Sequence, residues 1–102
     1  MVDKALSMMG LACRAGKVVS GEFSTEKAIK NHTAYLCVVA TDSSDNTKKH
    51  FTDMCTYRDI PIFMYGNKEE IGHAIGKEFR ASLAICDEGF ARQIVKLLSD
   101  RD

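Results

Sequence analysis

The sequence has no net charge and no long hydrophobic segment at its start. Fourteen basic and fourteen acidic residues cancel within 102 residues, so a polyanionic partner must be met by a local patch and not by the field of the whole molecule. The first ten residues, MVDKALSMMG, have an acid at Asp3 and no sustained apolar run. This pattern argues against a signal peptide or a membrane anchor. We therefore expect a cytoplasmic protein without a membrane partner.

The few cysteines are scattered, which argues against a metal site. Cys13, Cys37, Cys55 and Cys86 lack the close pairs of a zinc knuckle or a redox motif. Each lies in an apolar stretch, and we interpret all four as small buried hydrophobic residues in a reducing cytoplasm. No metal ion and no cofactor is predicted.

The motifs of common catalytic sites are also missing. No GxGxxG, GxxxxGK[ST] or GxSxG occurs, so the usual phosphate cradles and the nucleophile elbow are absent. The histidines have no metal-binding spacing and are predicted to be surface residues: His32, His50 and His73. Asp42, Asp45 and Asp53 surround the end of a predicted strand, where α/β folds place their sites, but turn and cap roles explain them more simply. We predict that the protein is not an enzyme.

The hydrophobic pattern predicts one domain, residues 1–102, in which helices and strands alternate. The predicted helices cover about residues 3–15, 21–32, 46–58, 67–76 and 87–98, and the predicted strands 17–20, 34–40, 60–65 and 81–86. AYLCVVA, residues 34–40, is apolar throughout, which is typical of a central strand of parallel type, buried on both faces. Short connections between these elements predict an α/β fold, a single three-layer α/β/α sandwich with a small four-stranded mixed sheet.

The start of the second predicted helix, SGEFSTEKAIKN, is the best candidate for a binding site. A helix amino terminus carries partial positive charge and free N–H groups that favour phosphate, and Gly21 would allow close backbone approach. Lys27 and Lys30 add positive charge along the helix, and Arg14 and Lys17 lie just upstream. An ordinary solvated helix face would give the same pattern, so these residues alone leave both interpretations open.

Four segments in order resemble the kink-turn RNA-binding ribosomal-protein family, which contains the archaeal large-subunit protein seven-Ae, and within it the short bacterial YlxQ-like branch. The segments are LACRAGKVVSGEFSTEKAIKN, YLCVVATD, CTYRDIPIFMYGNKEEIGHAIGK and SLAICDEGFA. Together they cover nearly the whole chain, from about Leu6 to Leu98. The resemblance implies a single α/β/α sandwich that binds a sharply bent RNA internal loop.

The resemblance also implies a binding helix start, written G-x-N-E-x-T-K in the family. Gly21 and Lys27 match its Gly and Lys, whereas Phe23 and Ser24 occupy the Asn and Glu positions and Glu26 replaces the Thr. Asn and Glu would read guanines in the bend through donor and acceptor groups. Phenylalanine cannot do this, although its ring can stack on an unpaired base.

A second family contact is an apolar loop before the last strand, which packs against extruded bases. Here the loop is KEFRAS, in which Lys77, Phe79, Arg80 and Ala81 could combine base stacking with phosphate contact. Core packing is the alternative for Phe79, and plain solvent exposure is the alternative for Arg80.

We therefore predict a non-enzymatic RNA-binding protein, associated with the ribosome or with another structured noncoding RNA. The predicted RNA-binding residues are Lys17, Gly21, Phe23, Ser24, Lys27, Lys30, Lys77, Phe79, Arg80 and Ala81. The main alternative is a protein–protein interaction module on the same fold, with Phe23 and Phe79 as an apolar patch. The absence of net charge and of the Asn-Glu pair favours that alternative. A small-molecule enzyme with paired acids near Asp42 is the third hypothesis.

Overall fold

The computed structural model describes residues 3–100, in which five helices and four strands alternate. Their bounds are α1 Lys4–Arg14, β1 Val18–Ser20, α2 Glu22–Lys30, β2 Leu36–Val39, α3 Asp45–Tyr57, β3 Ile62–Met64, α4 Lys68–Ala74, β4 Ser82–Ile85 and α5 Glu88–Ser99. Every predicted helix and strand is present, and each strand is shorter than the segment predicted for it. None of the helices between residues 3 and 100 has the length and apolar character needed to cross a membrane.

The four strands form one mixed sheet in the order β1-β4-β2-β3. Strand β2 is parallel to β3 and antiparallel to β4, and β4 is also antiparallel to β1, with Val18 opposite Ile85. Parallel neighbours were expected for β2, but only β3 is parallel to it. The reason lies in the chain after α4: the N–H of Arg80 donates to the carbonyl of Lys68 at 3.1 Å, so the chain returns to the end of the sheet where α4 begins, and β4 runs opposite to β2.

Helices cover both faces of the sheet, which confirms the three-layer sandwich. Strands β2 and β4 are buried at every residue, and their successive side chains point to opposite faces. Leu36, Val38, Leu83 and Ile85 pack with α1, α4 and α5. Cys37, Val39 and Ala84 pack with α2 and α3 on the other face. The ring of Phe51 is fully buried in this second layer, and burial of such a side chain contributes about 1.5–3 kcal/mol.

Four of the five helices begin with a side-chain cap. Asp3, Ser44, Asn67 and Asp87 each accept a hydrogen bond from a backbone N–H three residues later, at 2.8–3.1 Å. The Asn67 cap is a capping box, because Glu70 in turn accepts from the N–H of Asn67 at 3.0 Å. The exception is α2, whose cap residue is Gly21. The first N–H groups of α2 therefore receive no capping hydrogen bond from a side chain.

The cysteines agree only in part with their prediction. Cys37 and Cys55 are buried in the second layer, as expected, but Cys13 and Cys86 are only half-buried. Cys13 lies in the last turn of α1 and Cys86 just after β4, so neither belongs to the fully buried strands β2 and β4. Burial still raises the pKa of the Cys86 thiol, which lowers its reactivity. The histidines are all exposed, as predicted.

Candidate nucleic-acid interface

Four loops meet at one end of the sheet. The N–H of Gly21, after β1, donates to the carbonyl of Ser82 at 3.0 Å. The N–H of Ala40, after β2, donates to the carbonyl of Ala81 at 2.8 Å, and the next N–H donates to the carbonyl of Gly66, after β3, at 2.7 Å. We call this rim, formed by residues 20–22, 40–44, 65–68 and 79–81, the α2 end of the sheet. It brings together the two segments that the sequence selected, the start of α2 and the loop before β4.

Gly21 has a backbone conformation that favours glycine and leaves the start of α2 open. Its φ is 90° and its ψ is 160°, a region used almost only by glycine. Because Gly21 provides no side chain, the first-turn N–H groups of α2 carry no side-chain cap. A Cβ at this position would lie in open space, with nothing within 4 Å. The helix amino terminus can therefore be approached closely by an anion.

Replacement of Gly21 by alanine is expected to destabilise the protein through backbone strain alone, since a Cβ would meet no neighbour within 4 Å. Such strain costs about 1–3 kcal/mol, which in a domain of this size lowers the melting temperature by roughly 4–8 °C per kcal/mol. Thermal unfolding followed by circular dichroism measures this, with Ser24→Ala in the same helix turn as the control. An unchanged melting temperature would contradict the assigned backbone conformation.

Arg80 joins the two halves of the α2 end. Its Nε donates to the Oγ of Ser20 at 3.1 Å, and one terminal nitrogen donates to the carbonyl of Phe79 at 2.8 Å. The side chain is half-buried, so the plain solvent exposure considered for Arg80 is wrong. The guanidinium group is held in place beside the start of α2.

Two phenylalanines are exposed at the α2 end. Phe23, in the first turn of α2, is 78% exposed, and Phe79 is 59% exposed. The alternative that Phe79 packs in the core is therefore wrong. Both rings present apolar faces to solvent without contributing to either core cluster.

The predicted lysines differ in whether their side chains form ion pairs. Lys27 is exposed on α2 and Lys77 is exposed in the loop before β4, and within residues 3–100 neither forms an ion pair. Lys30 is bound to Glu26 at 2.7 Å, and Glu26 also contacts His50 at 3.1 Å. The hydrogen bonds from Lys30 and His50 lower the pKa of the Glu26 carboxyl. Lys30 is thus partly neutralised, and it lies about 14 Å along the helix from Gly21.

Lys17 lies at the other end of β1. Its carbonyl accepts from the N–H of Cys86 at 2.7 Å, beyond the last residue of β4. Gly21 is four residue steps further along this extended segment, which corresponds to about 13 Å. The structure therefore brings Gly21, Phe23, Ser24, Phe79, Arg80 and Ala81 together at the α2 end. Lys27 lies about 9 Å along α2 from Gly21 and lines one depression with Phe23 and Lys30. Lys77 follows the end of α4, where its N–H donates to the carbonyl of Gly72 at 2.7 Å.

The family of the chain follows from a comparison with known proteins. The model of the ribosomal protein L7Ae/L30e/S12e/Gadd45 family matches residues 3–95. The chain belongs to this family. The match covers nearly all of the region over which the sequence resembled the family, and it confirms that assignment.

Two curated L7Ae-family proteins are similar to this chain over nearly their whole length. RNA-binding protein YlxQ of Bacillus subtilis (strain 168) is 43% identical over 91 residues, 89% of this chain and 91% of that protein. RNA-binding protein YlxQ of Enterococcus faecium is 41% identical over 96 residues, which cover 94% of this chain and 92% of that protein. The chain thus belongs to the YlxQ-like branch of the L7Ae family.

Solved structures confirm the L7Ae-family fold. A protein with unknown function from Bacillus halodurans C superimposes with a TM-score of 0.94 at 35% identity, covering 97% of this chain and all of that chain. The Giardia lamblia 15.5kD RNA binding protein superimposes with a TM-score of 0.79, covering 92% of this chain and 81% of that chain. The identity to the Giardia protein is 16%, so that likeness concerns the fold alone.

The three aspartates that follow β2 in sequence have structural roles. Asp42 accepts a hydrogen bond from the N–H of Lys68 at 2.9 Å, Asp53 pairs with Lys49 at 2.9 Å, and Asp45 lies in the first turn of α3. No cluster of three side chains able to hold a metal ion occurs among residues 3–100. The turn and cap interpretation of these residues is confirmed for Asp42.

The prediction missed two residues of the α2 end, Ser20 and Lys68. The hydroxyl of Ser20 holds Arg80, and the backbone of Lys68 binds both Asp42 and the N–H of Arg80. A signal for Lys68 was present, because it follows β3 closely and the carboxyl ends of parallel strands share one edge. The pairing of Ser20 with Arg80 depends on the antiparallel contact of β1 with β4, for which the sequence has no local signal.

Proposed function

We propose that this protein is a non-enzymatic RNA-binding protein that recognises a sharply bent, kink-turn-like structured RNA. The observation that carries the proposal is the junction of the open start of α2 with the loop before β4, fixed by the bonds of Gly21 to Ser82 and of Ser20 to Arg80. Two similar proteins are named RNA-binding proteins, which supports RNA as the ligand. Their names lend no support to the alternative, a protein-interaction module.

The groups at the α2 end suit phosphate and unpaired bases. The uncapped N–H groups of α2 can bind one phosphate, and Lys27, Lys77 and Arg80 can contact others. The exposed rings of Phe23 and Phe79 can each stack on an unpaired base, as aromatic residues do in RNA-binding proteins. A bent internal loop presents phosphates and extruded bases side by side.

The residues at the Asn and Glu positions of the family pattern favour recognition of the RNA by its shape. Phe23 and Ser24 stand where the family pattern has Asn and Glu. A phenyl ring has neither a donor nor an acceptor for a base edge, so it cannot distinguish bases by hydrogen bonding. We expect the protein to select the bent backbone and its unstacked bases, with little preference for the identity of those bases.

Replacement of Lys27 by alanine is expected to weaken binding to all RNA sequences by a similar factor, because a phosphate contact carries no base information. The slope of log affinity against log salt should fall by about one unit. Fluorescence anisotropy over a range of salt concentrations measures both effects.

The control for this variant is Arg14→Ala, which removes one positive charge from an exposed side chain in the last turn of α1. We expect its affinity for the bent RNA to equal that of the unmodified protein. If Lys27→Ala and Arg80→Ala both leave affinity unchanged, the site does not lie at the α2 end.

The proposal is tested by comparing a standard kink-turn RNA with a straight duplex of equal length, at two salt concentrations. We expect clear preference for the bent RNA, retained at the higher salt. Equal and salt-sensitive binding to both would show a generic backbone binder and refute recognition of the bend. Failure to bind either RNA would favour a protein partner at the α2 end.

Association with the ribosome is the further part of this proposal, and it rests on the family match alone. Sedimentation of a bacterial lysate through a sucrose gradient tests it. We expect the protein in the fractions of a ribosomal subunit, and we expect Lys27→Ala with Arg80→Ala to move it to the top of the gradient. Sedimentation as free protein in the presence of intact ribosomes would leave another noncoding RNA as the ligand.

A further inference from the structure

The end of the sheet opposite to the α2 end also exposes aromatic rings. Tyr35, just before β2, is 47% exposed, and Tyr57, at the end of α3, is 85% exposed. Both belong to the segments that connect helices to strands at this end, residues 31–35 and 57–61. Neither ring is part of a core cluster, and neither is required by the proposed site at the α2 end.

Two depressions share Tyr35 and Pro61 in their walls. One, with a volume of about 270 Å³, is also lined by Arg58. The other, of about 350 Å³, is also lined by Lys96 on α5. Because they share two wall residues, the two depressions adjoin, with one cation in each. We call the two together the Tyr35 groove.

The cation at one end of the Tyr35 groove is fixed in position. A terminal nitrogen of Arg58 donates to the carbonyl of Met54 at 3.2 Å, and the guanidinium carbon lies 5.3 Å from the centre of the Tyr57 ring. This cation–π contact orders both side chains. Tyr57 is still 85% exposed, so most of its surface remains available.

The charges along the Tyr35 groove favour an anion. Arg58, Arg92 and Lys96 line it together with the two carboxylates of Asp59 and Glu88. Glu88 is paired with Arg92 at 3.1 Å, whereas Lys96 forms no ion pair within residues 3–100. The groove thus has a positive balance in a protein whose total charge is zero.

We propose that the Tyr35 groove binds a single-stranded nucleic-acid segment, as a second surface separate from the α2 end. Bases stack on Tyr35 and Tyr57, and phosphates contact Arg58 and Lys96. Alternation of exposed aromatic rings with cations is the pattern by which proteins hold single strands without reading their sequence. The two surfaces lie at opposite ends of the strands, so one molecule can hold a bent element at the α2 end and a flanking single strand in the groove.

The probe for this surface is fluorescein-labelled decauridylate, a single strand that lacks the bent backbone proposed as the ligand of the α2 end. We expect the protein to bind it in low salt, and Tyr35→Ala to weaken that binding about tenfold. Tyr35→Phe, which keeps the ring, should bind within about twofold of the unmodified protein. Lys96→Gln removes an exposed charge without touching the core and should weaken binding by a factor of about two to five.

Crossed measurements separate this proposal from the function proposed for the α2 end. Lys27→Ala should reduce affinity for the kink-turn RNA and leave decauridylate binding unchanged, and Lys96→Gln should do the reverse. The proposal is overturned if decauridylate does not bind. It is also overturned if decauridylate binding survives Tyr35→Ala and Lys96→Gln and is lost in Lys27→Ala, since the strand then occupies the α2 end.

Discussion

Replacement of both Phe23 and Phe79 by alanine is expected to weaken binding to bent RNA by about 100-fold or more. Each ring that stacks on a base contributes about 1–3 kcal/mol, and each 1.4 kcal/mol corresponds to a factor of ten in affinity. Both rings are largely exposed, so their removal costs little buried surface. We therefore expect an unchanged melting temperature alongside the loss of affinity.

Anisotropy with the kink-turn RNA at one salt concentration measures the effect of the double variant. Substitution of both residues by leucine distinguishes stacking from general apolar contact, because leucine keeps an apolar side chain without a ring. Leu11→Ala is a matched control, since Leu11 is an exposed apolar residue on α1. If the double alanine variant binds as tightly as the unmodified protein, stacking on these rings does not contribute to recognition.

Replacement of Gly72 by alanine is expected to reduce both stability and RNA affinity. A Cβ on Gly72, in α4, would lie 2.4 Å from the carbonyl oxygen of Glu78 and 2.9 Å from the backbone nitrogen of Phe79. Both neighbours are backbone atoms, so helix and loop must move apart. Forced displacement of this kind costs about 1–3 kcal/mol, and it shifts Phe79 and Arg80 away from the start of α2.

Urea unfolding gives the stability of the Gly72→Ala variant, and anisotropy at a temperature where the variant is fully folded gives its affinity. Glu69→Ala, at an exposed position of the same helix, controls for the change in α4 itself. Loss of stability with full affinity in the folded variant would mean that the position of the loop before β4 is unimportant for binding.

The helices and strands could be predicted because their signals are local. Asp3, Asn67 and Asp87 cap helices at the first residues of three predicted helices, and caps and periodicity involve residues within one or two turns of each other. The fully apolar run before Thr41 identified β2 as a central strand for the same reason. Its mixed pairing was harder to predict, since that pairing depends on the path of the chain after α4.

The candidate site could be predicted only in part, because neighbours in sequence are not always neighbours in space. Lys17 precedes Gly21 by four residues, but those residues form an extended strand that places the two at opposite ends of the sheet. The exposure of Phe79 was undecided, since a single aromatic residue in a loop fits a core or a surface equally well. The close contact of Gly72 with the loop that carries Phe79 likewise involves elements that the sequence does not relate.

The hydrogen bond between Ser20 and Arg80 joins residues that are sixty positions apart. During synthesis of the chain it can therefore form only late. The start of α2 emerges from the ribosome early, but its partner loop follows only after four further elements, β2, α3, β3 and α4, have appeared. Chains fold only as their segments become available, and contacts distant in sequence form late. A nascent chain therefore has no complete α2 end until β4 has joined the sheet. An RNA that must contact both the start of α2 and the loop before β4 will bind complete chains in preference to nascent ones.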